Sequence, residues 1–270
     1  AAHDLPCQAL LRLQLANPTN RCYLNSAFLA CLWQAVVDER WGRIPAPWRQ
    51  SILVNNVRPL AMLSFLLMGW RDVNVQHDLA EFLLLFLPRV TWLSTSASWE
   101  IRTEQDGLLH RQPSNHMPIL MLNPAEGLQT SSLADAVQAW HSQAGVIVQA
   151  LGLAPRDLVV QLPRFREADV GIVKHRIPLC LGPGLLRLPV FRGPNDASCY
   201  WITYTIRAAL LHLGETTTSG HYRAALLDVR TQACWLTNDG VSAQPSVLSD
   251  SLIEENCYVL FCTRHQEADE

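Results

Sequence analysis

Three residues of this 270-residue chain stand where nucleophilic catalysis would need them. Cys22 begins a segment whose apolar residues recur with helical spacing, so a helix is predicted to start at or near this cysteine. The partial positive charge at a helix amino terminus favours the thiolate, the nucleophilic form of cysteine. His221 opens one predicted strand and Asn238 ends a neighbouring strand, so the Asn238 amide can orient the imidazole. These positions predict a cysteine nucleophile served by a histidine base.

The order Cys, His, Asn along the chain is that of papain-like thiol proteases. The order alone is weak evidence, because the sequence contains eight cysteines and nine histidines. Outside the three positions, His212 is expected to be a structural strand residue and most other cysteines small buried side chains. No two cysteines are separated by two residues, so the sequence predicts no metal site and no cofactor.

The elements that must position these residues differ between the two halves of the chain. Helical spacing predicts helices after Cys22, over 60–69, after Asp78 as far as Pro88, and after Ser132, so helices are expected up to about residue 150. β-branched and aromatic runs predict strands after about residue 155, at 158–162, 176–181, 185–191, 200–213, 221–229, 233–237 and 257–263. Helices followed by strands predict an α+β protein with an antiparallel sheet and a cleft between the two parts.

Composition excludes some classes of protein. The sequence contains twenty arginines, a single lysine, Lys174, and 24 acidic residues. The resulting formal net charge of −3 argues against a nucleic-acid partner. No apolar run reaches the ~18 residues of a membrane span, and no secretory segment is predicted at the amino terminus. The cysteine spacing favours a reducing intracellular compartment, cytoplasm or nucleus, with delivery into a host cell left open.

Six segments resemble sequence boxes of the ubiquitin-specific proteases, which are deubiquitinating cysteine proteases. They follow the family's order: a cysteine box at 17–26 (Asn-Pro-Thr-Asn-Arg-Cys-Tyr-Leu-Asn-Ser), a QQD box at 76–83, an LxLxRF strand at 158–165, a histidine box at 212–222, and closing segments at 235–239 and 257–261. The resemblance extends from residue 17 to about residue 263, which is essentially the whole chain.

This resemblance implies a papain-like fold within a single peptidase domain, residues 1–270. Residues 17–150 would form a helical thumb, residues 155–264 an antiparallel β palm, and residues 265–270 a polar tail. Many members carry a zinc-binding finger with two CxxC pairs before the LxLxRF strand. The corresponding interval here, 143–156, contains no cysteine, so the fingers are expected to be reduced or reorganised.

The resemblance also implies roles for the residues of the site. Cys22 would be the nucleophile, His221 the general base and then acid, and Asn238 the residue that orients the imidazole. Asn17 matches the side chain of the oxyanion hole. Asp239 matches an acidic position that supports the oxyanion site or substitutes for the third catalytic residue in some members.

Four further residues are expected to bind substrate. By resemblance, Asp78 and Glu81 approach the arginine-containing tail of ubiquitin, and carboxylates suit such a cationic peptide. Both residues also fit a cap at a helix amino terminus, and the two roles can coexist. Gly220 and Tyr222 of the histidine box are the other expected substrate contacts.

The sequence departs from the family pattern beside the cysteine. Pro18 and Thr19 stand where the family has Leu-Gly, and Arg21 stands where it usually has threonine, so the flexibility of the oxyanion loop is expected to differ.

The predicted reaction is hydrolysis of the isopeptide or peptide bond after the carboxyl-terminal glycine of ubiquitin, through an acyl-enzyme at Cys22. The partners would be ubiquitin, or a ubiquitin-like protein, and its conjugates. Two alternatives remain open: a protease for another modifier such as SUMO, and a ubiquitin-binding module whose catalysis has lapsed.

Overall fold

The computed structural model describes residues 4–124, 131–143, 147–216 and 219–265. The helices in these ranges are α1 (Asp4–Arg12), α2 (Cys22–Val37), α3 (Ala46–Leu53), α4 (Pro59–Leu63), α5 (Leu79–Phe86), α6 (Leu133–His141) and α7 (Ser251–Asn256), with 3₁₀ turns at Trp41–Arg43 and Leu87–Arg89. None of these helices has the length and apolar character that a membrane crossing demands.

The strands lie mainly in the second half of the chain. They are β1 (Ala97–Gln105), β2 (Leu108–Arg111), β3 (Asn115–Met117), β4 (Ile119–Met121), β5 (Ser131–Ser132), β6 (Ser142–Gln143), β7 (Ile147–Leu153), β8 (Asp157–Gln161), β9 (Phe165–Ala168), β10 (Gly171–Lys174), β11 (Leu179–Cys180), β12 (Leu185–Phe191), β13 (Cys199–Thr216), β14 (Ser219–Asp228), β15 (Ala233–Asn238), β16 (Val241–Ser246) and β17 (Cys257–Arg264).

Thirteen of these strands belong to one large sheet, whose main path runs β16-β15-β14-β13-β12-β7-β1-β2. The long strand β13 pairs antiparallel with β12, β14 and β17, and β17 continues the sheet into β8 and β4. Most pairings are antiparallel, but β7 with β12 and β4 with β8 are parallel. The protein is therefore a mixed α/β structure organised around a largely antiparallel sheet.

Helices cover both faces of this sheet. Helix α2 belongs to one apolar core, together with sheet residues such as Leu210, Leu226 and Phe261. Helix α6 belongs to a second core with Leu188, Leu211 and other residues of the opposite face. Every residue of α2 from Cys22 to Val36 is buried. A helix that is apolar around its whole circumference belongs in the interior, where its position is fixed by packing on all sides.

A buried carboxylate fixes the carboxyl-terminal side of α2 against the sheet. Asp157, at the start of β8, is completely buried and accepts two hydrogen bonds from the Arg40 guanidinium, with N–O distances of 2.6 and 2.8 Å. Gln34 Nε2 and the Ser94 backbone N–H donate to the same carboxylate at 2.9 and 2.7 Å. Both oxygens of the buried carboxylate are therefore hydrogen-bonded, as a buried ion pair requires, whereas Arg40 Nε has no hydrogen-bond partner in the described ranges.

The prediction that helices continue to about residue 150 is wrong. Strands β1 to β4 lie between residues 97 and 121, and β7 precedes residue 155. The buried face of β1 carries Ser98, Glu100 and Arg102, so this strand lacks the apolar alternation that normally reveals one. Asp106 and Gly107 connect β1 to β2 with φ angles of 51° and 75°, the left-handed values of a two-residue hairpin turn. That Asp-Gly pair is the signal missed in the sequence.

Other predicted elements are confirmed or shortened. Helices do begin at Cys22, after Asp78 and after Ser132, and the predicted strands from 185 to 263 are all present. The helix predicted over 60–69 is confined to Pro59–Leu63, and the strand predicted over 176–181 to Leu179–Cys180.

The end of the sheet formed by β1 and β2 is stabilised by an ion-pair network rather than by paired cysteines. Glu100 is 4% exposed and accepts hydrogen bonds from Arg102 and Arg111. Burial alone would raise the pKa of Glu100, but these two guanidinium groups hold it below its usual value. Arg102 also donates to the carbonyl oxygens of Gly193 and Asp196. The network thus ties the β1–β2 hairpin to the turn between β12 and β13. Within the described ranges, no group of three His, Cys, Asp or Glu residues is placed to hold a metal ion.

The Asp157 cluster generates a stability prediction. Asp157→Asn leaves the Arg40 guanidinium buried without its counter-charge, so we expect the free energy of unfolding to fall by about 3–5 kcal/mol. Chemical denaturation measures the change. The matched control is Asp106→Asn, the same substitution at an exposed turn residue whose left-handed conformation asparagine tolerates. Equal stability of the two variants would contradict a structural role for the cluster.

Candidate active site

The structure places Cys22, His221 and Asn238 at the junction of one helix and two strands. Cys22 is the first residue of α2, His221 lies on β14, and Asn238 ends β15. The backbone N–H of Tyr222, the residue after His221, donates to Cys22 Sγ at 3.4 Å. His221 Nε2 lies 2.7 Å from Asn238 Oδ1. Packing of α2 on β14 therefore brings together residues that are about 200 positions apart in the chain.

The contact between His221 and Asn238 determines which imidazole nitrogen is free. An amide oxygen only accepts hydrogen bonds, so Nε2 of His221 carries the proton and donates it to Asn238 Oδ1. In the neutral ring Nδ1 is then unprotonated. This nitrogen is the one able to take the thiol proton from Cys22.

Asp239 connects several residues of the site. Its carboxylate accepts hydrogen bonds from Asn17 Nδ2 at 3.0 Å and from Asn25 Nδ2 at 2.9 Å, and lies 3.7 Å from His221 Nε2. Its backbone φ is +39°, in the left-handed region that a non-glycine residue enters only when the surroundings impose it. Its carbonyl oxygen accepts from the Leu15 N–H at 3.0 Å, which helps to hold this conformation.

Asn17 is oriented at both ends of its side-chain amide. Its Oδ1 accepts the Arg21 backbone N–H at 2.7 Å, while Nδ2 donates to Asp239. An NH₂ group has two donors, so one N–H of Asn17 remains for another acceptor. The amide is thus fixed beside the first turn of α2 with a donor to spare.

The loop before α5 is attached through Asn74 to the cysteine loop, the segment 17–21 that precedes Cys22. Its Oδ1 accepts hydrogen bonds from Thr19 Oγ1 at 2.8 Å and from the Arg21 guanidinium at 2.5 and 3.1 Å. Asn20 Nδ2 reaches the Asn74 carbonyl oxygen at 3.5 Å. Thr19 and Arg21 are positions where the sequence departs from the family pattern. In this chain those residues anchor the segment before Cys22 to the loop before α5.

The environment of Cys22 opposes the thiolate. The residue is 2% exposed, and burial raises the pKa of its thiol above the ordinary value. The Asp239 carboxylate raises it further, whereas the hydrogen bond from the Tyr222 N–H lowers it. The backbone N–H groups of Cys22 and Tyr23 at the start of α2 lower the pKa, as expected for a helix amino terminus, but burial has the larger effect.

Asp78 is placed as a helix cap. Its Oδ1 accepts the Glu81 backbone N–H at 3.1 Å, and its Oδ2 accepts the Tyr258 hydroxyl at 2.9 Å. Burial raises the pKa of this carboxyl group. Glu81 is more exposed and forms an ion pair with Arg71, so its carboxylate already has a cationic partner within the chain.

Gly220 and Tyr222 lie beside the site but not as the sequence led us to expect. The φ of Gly220 is +129°, and a Cβ there would be 2.3 Å from the Leu213 carbonyl oxygen, so close strand packing requires the glycine. The Tyr222 side chain is 1% exposed, and its hydroxyl accepts the Leu79 N–H at 3.2 Å. Because this ring is buried against α5, the prediction that Tyr222 binds substrate through its side chain is wrong.

Behind the site lies a buried polar group that includes the only lysine. Lys174 is 7% exposed, and its Nζ donates to the His212 carbonyl oxygen at 2.6 Å and to Asn256 Oδ1 at 2.7 Å. Burial, followed by the nearby charges of Arg176 and Arg164, lowers the pKa of Lys174 to about 8. Burial also lowers the pKa of His212 to about 4, so its imidazole is neutral at physiological pH.

Three polar residues near the cysteine were not singled out from the sequence: Asn25, Asn74 and Gln76. Asn25 is 2% exposed and lies one turn after Cys22 in a mostly apolar helix. A polar residue on the same helix face as the cysteine could have indicated a site residue from the sequence alone. Gln76 Oε1 lies 3.9 Å from Cys22 Sγ. The role of Asn74 depends on a loop-to-loop contact for which the sequence offers no signal.

Solved structures with a similar fold come from the SAGA DUB module. A chain of the Ubp8/Sgf11/Sus1/Sgf73 module bound to ubiquitin aldehyde matches with a TM-score of 0.71 and 15% sequence identity, over 95% of this chain and 70% of that chain. The module with a Ubp8 variant bound to monoubiquitin matches at 0.67 and 15%, over 97% and 71%. A yeast SAGA DUB module matches at 0.63 and 14%, over 95% and 69%.

These likenesses show the fold. The mixed α/β architecture is similar to that of the matched chains of the Ubp8-containing DUB module. No protein-family model matches the sequence, and no curated protein matches it.

The raised pKa of Cys22 predicts how its reactivity depends on pH. Because the thiolate is the form that is alkylated, its labelling rate should rise about tenfold per pH unit between pH 7 and 8.5. Mass spectrometry of the Cys22 peptide after brief iodoacetamide treatment measures the rate, and the exposed Cys180 provides a reference in the same sample. Asp239→Asn should shift the profile to lower pH, since that carboxylate raises the pKa. A rate already constant at pH 7 would mean that the resting residue is a thiolate.

Proposed function

We propose that this protein is a deubiquitinating thiol protease. It hydrolyses the isopeptide or peptide bond after the carboxyl-terminal glycine of ubiquitin through an acyl-enzyme at Cys22. The observation that carries the proposal is the arrangement at the start of α2. There the Cys22 thiol contacts the backbone of β14 beside His221, whose imidazole is oriented by Asn238 at 2.7 Å. Nothing in folding alone requires these three residues to meet.

The chemistry follows from the positions of the side chains. Nδ1 of His221 takes the Cys22 proton as sulfur attacks the carbonyl carbon after the terminal glycine of ubiquitin. The carbonyl oxygen becomes negative, and the spare N–H of Asn17 donates to it. The imidazolium then returns the proton to the leaving amine, and water, activated by the same histidine, hydrolyses the thioester.

Asp239 acts on the reaction through its neighbours. Its hydrogen bond to Asn17 orients the donor of the oxyanion site, and its charge lies 3.7 Å from the His221 nitrogen that faces Asn238. A negative charge there stabilises the imidazolium formed when the thiol loses its proton. The same charge disfavours the thiolate before the substrate arrives, so the nucleophile forms during the reaction.

The helical part and the sheet are proposed to act as thumb and palm of one peptidase domain, with the tail of ubiquitin threaded between them. Asp78 and Glu81, at the start of α5, are proposed to face the arginines of that tail. A substrate arginine would then exchange with Arg71 at the Glu81 carboxylate. The proposed setting is a reducing intracellular compartment, where the cysteine stays a free thiol.

Two other functions fit parts of the same arrangement. Another ubiquitin-like modifier, such as SUMO, could supply the glycine-ended tail, since the chemistry at Cys22 is the same for each. A ubiquitin-binding module without catalysis would need only the surfaces of the fold. The complete set of Cys22, His221, Asn238 and Asn17 argues against the second function.

Activity probes distinguish these functions. The protein is incubated with ubiquitin, SUMO and other ubiquitin-like proteins, each carrying a carboxyl-terminal thiol-reactive group. We expect a covalent adduct with the ubiquitin probe that Cys22→Ala abolishes and Cys180→Ala leaves unchanged. Labelling by another modifier alone would reassign the substrate, and binding without an adduct would support the module. No adduct with any probe would contradict the protease.

The oxyanion role of Asn17 predicts a defect in turnover. Asn17→Ala removes one donor to the developing negative charge, so we expect kcat to fall about 10²–10³-fold with little change in KM. Hydrolysis of a ubiquitin carboxyl-terminal fluorogenic substrate measures both constants. Asn195→Ala, in the remote turn between β12 and β13, is the matched control. An equal change in KM, with kcat intact, would assign Asn17 to substrate binding instead.

A further inference from the structure

The Gln76 side chain makes contact with the thiol and has unused hydrogen-bond donors. Its Oε1 lies 3.9 Å from Cys22 Sγ, within range of the weak S–H hydrogen bond. Its Nε2 is buried and has no hydrogen-bond partner in the part of the chain that the structure describes. Buried polar groups are nearly always paired, so such a group calls for an explanation. One explanation is a ligand that supplies a hydrogen-bond acceptor.

The loop that carries Gln76 is held on two sides. Asn74 anchors it to the cysteine loop through Thr19 and Arg21. On the other side the Tyr23 hydroxyl donates to the Val73 carbonyl oxygen, and the Trp70 indole N–H donates to the same hydroxyl at 3.2 Å.

Aromatic contacts reinforce this attachment. The His77 ring packs edge-on against Tyr23 and Trp70, with ring centroids 5.4 and 5.0 Å apart. Tyr23 directly follows Cys22, so the loop is fixed to the same helical turn as the thiol. A loop held in this way keeps the Gln76 side chain beside the thiol.

The backbone N–H groups in the first turn of α2 are donors near the thiol, and side chains can add to them. Asn17 gives one N–H to Asp239, which leaves a single donor from that side chain. The Tyr222 N–H is directed at Sγ itself. A second side-chain donor would complete a two-point site for the negative oxygen, and Gln76, on a different loop from Asn17, has its amide 3.9 Å from Cys22 Sγ.

We propose that Gln76 is a catalytic residue that donates a hydrogen bond to the substrate carbonyl oxygen as it becomes an oxyanion. The proposal rests on the function proposed above. At rest, Gln76 Oε1 accepts the S–H of the neutral thiol. When that proton is transferred to His221, a half-turn of the terminal amide, a soft torsion, presents Nε2 to the reacting centre.

The steps balance as follows. The Sγ–H proton goes to His221 Nδ1, and the sulfur electron pair forms the bond to the carbonyl carbon. The π electrons of the C=O bond move to oxygen, which accepts from Gln76 and Asn17. When the C=O bond re-forms, the C–N bond breaks, and the amine leaves with the proton from His221.

The test compares three variants of the intact chain. Gln76→Glu keeps the shape and the acceptor but removes the donors, Gln76→Ala removes the side chain, and Gln105→Glu repeats the first substitution at an exposed end of β1. Four quantities are measured with the modifier that the wild type hydrolyses. They are kcat, KM, the affinity for the modifier aldehyde, which forms a tetrahedral adduct with the thiol, and the affinity of the unmodified modifier for each variant combined with Cys22→Ala.

We expect both Gln76 variants to lose about 10²–10³-fold in kcat, with a parallel loss of affinity for the aldehyde. Affinity for the unmodified modifier should stay within about twofold, and Gln105→Glu should match the wild type. Thermal unfolding of each variant, unchanged from the wild type, separates this loss from misfolding.

Two results would overturn the proposal while leaving the protease intact. An active wild type with unaffected Gln76 variants would show that no donor is needed there. Equal losses of affinity for the aldehyde and for the unmodified modifier would make Gln76 a residue of tail binding. A wild type inactive on every modifier would instead remove the proposed function, and this inference with it.

Discussion

The completely buried carboxylate of Asp157 is the point on which the geometry of the site depends. It joins Arg40 and Gln34 at the carboxyl-terminal side of α2 to β8 of the sheet. Apolar packing buries α2 on all sides, and directional hydrogen bonds such as that of Gln34 add to the setting of its rotation and its position along its axis. The polar cluster adds this constraint at one end of the helix. Cys22 lies about 18 Å before Gln34 along the same helix and packs against β14.

The candidate site is assembled from loops that constrain one another. Asp239 accepts hydrogen bonds from Asn17 and Asn25, which lie on either side of Cys22 in the sequence. Asn74 attaches the loop before α5 to Arg21, the residue before Cys22. The left-handed backbone at Asp239 is the local cost of this arrangement, and the three hydrogen bonds to that residue offset it. The result is a thiol held neutral and nearly enclosed, surrounded by amides rather than by cations.

Local sequence predicted the elements whose buried face is apolar. Helix α2 and strands β12 to β15 and β17 follow that rule, and the short boxes around Cys22 and His221 pointed to side chains that the structure brings near one another. Strand β1 was not predicted because its buried face is polar and carries the hydrogen-bonded pair Glu100 and Arg102. The buried ring of Tyr222 and the loop contact of Asn74 could not be inferred for a different reason. Each is decided by an element more than fifty residues away, and a linear pattern contains no information about such a neighbour.

The position of Lys174 has a consequence for the chemistry of the chain's own surface. The only lysine of 270 residues is inside, with its amine between a carbonyl oxygen and the side chain of Asn256. Reagents that acylate lysine, such as succinimidyl esters and amine crosslinkers, therefore find no exposed side-chain target on the folded protein. The isopeptide bond that joins ubiquitin to other proteins is formed by the same kind of acylation. A folded chain of this sequence is thus a poor lysine acceptor for the linkage that it is proposed to cleave.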